Sequence, residues 1–314
     1  MAANFSQNQR LVALLFGLAI APIATDFILA RSTSQAQTPA APQEIVRDGE
    51  VRSLPGGLND VPMFNSNSPE WVKQGGILLS TFPPQGKSPP TAHLNYPLQA
   101  RFDLFAHHFT HTPPDLQTLY LGILVNNPTS QPVTLEVLDA ASYLMEPDAP
   151  FQQQPPMTPN PDGDVYSEPG IRAVDNVLRG WRQPMFPERL EIPPGQSRLL
   201  LNHPIPVRGL DKPVNGRSTF MRLDSSDRVY VASLAMYAKK TPDGGDRAPT
   251  LAEWQQLLVE GNLARPRDKM PTPPDATSGQ LIYGRVAGVQ RGSQWKTRLT
   301  DPNRDRLAIP LPDG

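Results

Sequence analysis

The chain has 314 residues, a formal net charge of −1, 38 prolines against 22 glycines and no cysteine. Without a basic excess to neutralise phosphates, a charge-driven nucleic-acid binder is excluded. The absent cysteines exclude disulfides, thiol catalysis, cysteine-ligated metals and lipoprotein acylation. The proline count disfavours a helical bundle, because proline lacks a backbone donor and breaks helix interiors.

In chain order, Arg10 precedes the apolar run Leu11–Ala21, and Ser34-Gln35-Ala36 places small residues where a signal peptidase reads. The expectation is a signal peptide over 1–36, a mature chain beginning at Gln37, and no membrane span after cleavage. The competing reading is an uncleaved anchor over Leu11–Ala30, which Asp26 would interrupt at a solvation cost. Export to the periplasm or cell envelope follows. Residues 37–50 read as a flexible proline-bearing leader, and 51–314 as a β-rich domain.

Within that domain, Asn65-Ser66-Asn67-Ser68-Pro69-Glu70 is dense in turn formers. Ile77–Phe82 is a short apolar strand closed by Pro83-Pro84. In the strand predicted next, Phe102, Leu104, Ala106 and His108 share one face, and Arg101, Asp103, Phe105, His107 and Phe109 the other. Leu119–Val125 and Val133–Leu138 alternate in the same way around a polar turn, which predicts a hairpin. Residues 146–170 are proline-rich and aperiodic, predicting a surface excursion.

A short helix is expected from Ile171, Val174, Val177 and Leu178. Leu190–Ile192, Ser197–Leu201 and Val229–Tyr237 return to strand character. Thr250-x-x-Glu253 is a capping box before a helix with Leu251, Trp254, Leu257 and Leu258 on its apolar face. Final strands are expected at 281–289 and 295–299. The fold class is therefore mainly β, with sandwich-like antiparallel sheets, two short helices and long proline-rich loops. Two further expectations concern the domain's limits: a division near 210–216, and an architecture incomplete at its C-terminal end, with a sheet edge left unpaired.

Four of the five histidines fall between His93 and His111. His107 with His111, completed by His93 or Asp103, is the best zinc set; the competing reading is that these imidazoles hydrogen-bond in and around a sheet. His107 and Asp103, sharing a face, are expected to make an imidazole–carboxylate contact. Asn160, Asp162 and Asp164 alternate as in a calcium loop, but the glycine is at the wrong offset, and a plain Asp-Gly turn explains the string. No resident cofactor is expected. Gly216-Arg217-Ser218-Thr219-Phe220 only grazes a nucleophile elbow, and a turn followed by a strand accounts for it. A glycosidase pair drawn from Asp60, Glu70 and Asp103 would need the fold to assemble it. Asn65, Asn67, Trp71 and Tyr96, with Asp103 and His107, form the candidate ligand set.

The strings Val61–Glu70, Gly76–Pro84, Ala92–Asn95, Phe102–His108 and Pro249–Gln256 resemble an uncharacterised family of exported cyanobacterial proteins across most of 51–300. That resemblance implies a cyanobacterial source and export, and carries no established activity. The functional expectation is a non-enzymatic envelope or periplasmic binding or structural protein whose partner is a polysaccharide or an envelope protein. The alternatives are a hydrolase acting on envelope glycans and a metal-binding periplasmic protein.

Overall fold

One unusually long strand organises the architecture, and its sequence shows where it must change partners. The computed structural model describes residues 61–155, 158–267, 287–290, 300–301 and 306–307. The expected signal peptide, the leader, Asp60 and the strand candidate at 295–299 lie outside them, as does 281–286. The strands are β1 Met63–Ser66, β2 Gly76–Ser80, β3 Leu98–His111, β4 Leu119–Asn126, β5 Val133–Leu144, β6 Arg189–Ile192 and β7 Ser197–Ile205. They continue with β8 Val214–Tyr237, β9 Lys239–Lys240, β10 Asp246–Arg247, β11 Ala287–Gln290, β12 Thr300–Asp301 and β13 Arg306–Leu307. The helices are α1 Pro169–Leu178 and α2 Leu251–Glu260.

The first half of β8 pairs antiparallel with β3 on one side and β5 on the other. Its second half lies between β2 and β4. The strand thus belongs to two layers, ordered β11-β1-β3-β8-β5-β6 and β2-β8-β4-β7, with β1–β3 the parallel pair. The change falls in the polar run Asp224–Arg228. There Ser225 Oγ donates to Asp227 O at 2.6 Å, and Arg228 N donates to Asp227 Oδ1 at 2.7 Å. Such local side-chain bonds give the backbone an alternative to the ladder where the strand changes partners.

Alternation then fills the space between the layers. Phe64, Phe102, Leu104, Leu135, Val137, Met221 and Leu223 come from one sheet, and Leu121, Ile123, Val125 and Val231 from the other, all buried in one cluster. Each such side chain contributes about 1.5–3 kcal/mol by leaving water. The helices cover the outer faces. Ala173 and Val177 of α1 pack on Ala141, Tyr143 and Phe220. On the other side, Trp254 and Leu258 of α2 pack on Ile77, Leu124 and Leu234.

The Trp254 indole reaches β4 only because residue 122 is glycine: a Cβ there would sit 2.7 Å from the ring. Its Nε1 donates to Asn202 Oδ1 at 3.1 Å, so the buried donor is satisfied. The capping box at Thr250 and Glu253 is present as expected. Arg247 adds two 2.8 Å bonds to Glu253, which hold that carboxyl down at about 2.

The fold class is the expected one, but the hairpin is not formed. β4 pairs with β7 and β8, whereas β5 pairs with β6 and β8. The 127–132 turn instead carries the chain from one layer to the other. Buried Asn127 braces it, donating from Nδ2 to Gln131 O at 2.6 Å and Ile192 O at 2.9 Å. An arch and a hairpin share the same alternation. Here the apolar faces of β4 and β5 meet across the core, not side by side. Among the described residues no helix is long and apolar enough to cross a membrane.

Candidate ligand-binding site

The strand period divides the end of β3 into two environments. On the inner face, His108 Nδ1 lies 2.7 Å from Pro69 O, and its Nε2 lies 2.9 Å from Ser66 Oγ. A carbonyl only accepts, so Nδ1 carries the proton and Nε2 accepts from the Ser66 hydroxyl. Burial pushes the imidazole down to about 3, against which the Pro69 carbonyl pulls less strongly. Neutral, enclosed and doubly bonded, His108 clamps the 66–69 segment onto the sheet, in line with the reading of these imidazoles as hydrogen-bonding groups in and around a sheet.

On the outer face, His107 Nδ1 lies 2.7 Å from Ser218 Oγ and its Nε2 3.6 Å from Glu70 Oε1. The carboxylate partner is therefore Glu70, not the expected Asp103. Four residues along an extended strand cover roughly 13 Å, so Asp103 and His107 share a face without touching. Glu70 arrives by another route, because its segment runs alongside β3. Phe109 N donates to Glu70 O at 2.6 Å, and Val72 N donates to Phe109 O at 2.8 Å. Burial raises the Asp103 carboxyl, with Arg101 and then Arg222 opposing.

The same pairing builds an aromatic run. Phe105 stacks on His107 at 6.0 Å, and Phe109 meets His107 edge-on at 5.1 Å. Phe109 in turn contacts Trp71 at 5.6 Å and Phe151 at 6.1 Å, the latter stacked. Trp71 also meets His111 edge-on at 5.7 Å. Phe109 can lie flat across β8 because its partner is Gly216, where a Cβ would overlap the ring. Phe109 is thus buried between two aromatic side chains that stay in water, Trp71 at 39% and Phe151 at 60% exposure. Each of these borders a cleft. One of about 420 Å³ is lined by Trp71, Val72, Lys73, His111 and Pro266. The other, about 610 Å³, includes Phe151, Met145, Glu146, Asp211, Lys212 and Val214.

The remaining candidates are dispersed. Asn65 and Asn67 lie half-buried at β1 and just beyond it, where Asn65 Nδ2 reaches Gln290 Oε1 at 3.4 Å. His93 bonds Ser80 of the other sheet through Nδ1 at 2.8 Å, and burial, then Lys87, lowers it to about 4. Tyr96 is tied nearby, its N–H donating to Thr81 O at 2.8 Å. His93 is thereby separated from His107 and His111. Among the described residues no group of three or more histidine, aspartate or glutamate side chains is arranged to hold a metal ion. In the 160–164 loop, Asn160 closes a turn with Val165, and Arg179 donates to the carbonyls of Asn160 and Pro161. A guanidinium stands at those oxygens, and the side chains of Asp162 and Asp164 point to solvent.

Two serine–histidine contacts have the distance a nucleophile and base need, Ser66–His108 and Ser218–His107. Both hydroxyls are at 0% exposure, so no substrate atom reaches them. Stacking, hydrogen bonding and charge at the exposed end of the run remain. Of the residues gathered there, Trp71, His107 and His111 are candidates from the sequence, whereas Phe109, Phe151, Lys73 and Gly216 are not. The signal available was Gly216, which interrupts a strand pattern where another ring approaches closely.

Fold and site together define a β-sandwich flanked by two helices, with a solvent-facing aromatic shelf at one end of its central strands. The chain belongs to the DUF3370 family, described as protein of unknown function, whose profile matches residues 49–314. No curated protein and no solved structure matches the chain.

Proposed function

We propose that this protein is a non-enzymatic binding module of the cell envelope, exported in a cyanobacterial host, which holds a polysaccharide against Trp71. The observation that carries the reading is the run Trp71–Phe109–Phe151, exposed at both ends and fixed in the middle. Sugar rings present C–H faces that stack on indole and phenyl rings, and pre-ordered aromatics bind them with little loss of side-chain freedom. The imidazole of His111 and the amine of Lys73 stand beside Trp71 to bond hydroxyls or charged substituents. The resemblance of the long strings at 61–108 to exported proteins supports the location.

The test is retention of the full chain on host envelope polysaccharide. Wild type should be retained, and Trp71→Ala should lose at least about tenfold in affinity while melting normally. Unchanged retention of that variant overturns the reading. Release of reducing ends during incubation would replace it with the hydrolase alternative. Intact mass of the exported chain, expected to begin at Gln37, tests the location separately.

A further inference from the structure

Charge separates the two clefts that border the aromatic shelf. The Phe151 cleft carries Glu146 and Asp211 as well as Lys212, so it presents no consistent sign. Among the described residues the Trp71 cleft is lined by one ammonium, one imidazole and one indole, with Val72 and Pro266 and without a carboxylate. The backbone of a second cationic residue is pinned beside its wall. Lys73 N and Gln74 N both donate to Arg265 O, at 3.2 and 3.0 Å, and Gln74 and Arg265 form an antiparallel bridge. Arg265 is exposed and immediately precedes Pro266 of the cleft wall. Among the described residues neither Lys73 nor Arg265 has an ion-pair partner. Glu70, the acid nearest in sequence, faces His107.

We infer that the Trp71 cleft recognises an acidic sugar, a pyranose bearing a carboxylate, as the specificity unit of the polysaccharide. This rests on the reading of the shelf as a glycan site. The ring of a uronate would stack on the indole while its carboxylate meets the Lys73 ammonium and the Arg265 guanidinium. Guanidinium is suited to the planar, two-oxygen geometry of a carboxylate. Neutral sugars make the stacking contact and can accept a hydrogen bond, but form no ion pair with either cation. Electrostatic complementarity at an open rim mainly decides which ligand is chosen.

The experiment is calorimetric titration of the full chain with tetragalacturonate and with cellotetraose, at low and at physiological salt. Tetragalacturonate should bind at least about tenfold more tightly, with the margin shrinking as salt rises. Lys73→Gln should cost about two- to fivefold toward tetragalacturonate and nothing toward cellotetraose. Equal affinity for both, with Trp71→Ala still abolishing binding, overturns the acidic preference and leaves the glycan site standing. Tight tetragalacturonate binding that Lys73→Gln does not weaken also overturns it. Binding that ignores Trp71→Ala, or no binding of either sugar, overturns both.

Discussion

The inner and outer faces of β3 put the same residue type to opposite uses. His108 faces inward, satisfies both ring nitrogens and meets no solvent. His107, one residue earlier, faces outward into an aromatic run whose ends are wet. Both touch the 66–72 segment, His108 through Ser66 and Pro69, His107 through Glu70. The inner contact fixes that segment, and the outer face displays it. A pair of adjacent histidines is thus a clamp and a platform, not a metal pair, because a strand sends successive side chains to opposite sides.

The most direct way to break the comparison is to empty the inner face. His108→Ala leaves the Pro69 carbonyl and the Ser66 hydroxyl without partners in a dry site and opens a cavity. The expected loss is about 3 kcal/mol, read from the midpoint of urea unfolding. A variant as stable as wild type would remove His108 from the clamp.

Acid sharpens the same point. His108 sits near 3 folded and takes the ordinary value of 6.5 unfolded, so the unfolded chain binds the extra proton between those limits. Its stabilisation is complete above 6.5 and is lost as pH falls toward 3. Between neutrality and about pH 5 this one group accounts for a loss of about 2 kcal/mol. His93 and His203, each lowered to about 4 mainly by burial, act in the same direction. Wild type should therefore lose more stability than His108→Gln over that range. Parallel unfolding-versus-pH curves for the two proteins would assign the acid sensitivity elsewhere.

Much of this arrangement was legible in the residue order. Alternation marked β3, β4 and β5 and put His107 and His108 on opposite faces, and the capping box placed the start of α2. Pairing was not legible. The apolar period of β4 and β5 is identical whether they lie side by side or meet across a core. Asn65 and Ser66 open a run dense in turn formers, yet Met63–Ser66 is a strand because β3 and β11 flank it on both sides. At the first half of β8 the residue order shows only a turn followed by a strand at 216–220, because Asn215, Arg217, Ser218 and Thr219 are polar residues that a central strand tolerates only with partners. Arg217 finds them in Pro204 O and Ser142 Oγ, and Ser218 in His107. Phe151 comes from an aperiodic loop, where no local pattern tells which ring it will stack upon.

A smaller effect is expected where the outer face depends on a missing side chain. Gly216→Ala drives a methyl group into the Phe109 ring, and the ring must tilt or β8 must yield. Overpacking of that kind costs about 1–2 kcal/mol. Because Phe109 supports both Trp71 and Phe151, polysaccharide retention should fall as well. Tryptophan emission should shift with the displaced indole contact, and an unshifted spectrum with full retention would show that the shelf does not depend on Phe109.

The smallest stability change belongs to His107, and it separates platform from clamp most sharply. Its Nδ1 contact with buried Ser218 is worth about 1 kcal/mol, and the 3.6 Å approach of Glu70 adds little. His107→Ala should therefore lower the unfolding midpoint by about a third of the His108→Ala effect. Phe105 and Phe109 lose the imidazole between them, so the shelf loosens although the fold survives. Binding should weaken more than stability predicts, and His107→Gln, which keeps a polar contact to Ser218 but no aromatic ring, should restore stability without restoring retention. If His107→Gln restores both, the imidazole serves only as a hydrogen-bonding group. The aromatic run then begins at Phe109, and the outer face would be no more than a second clamp.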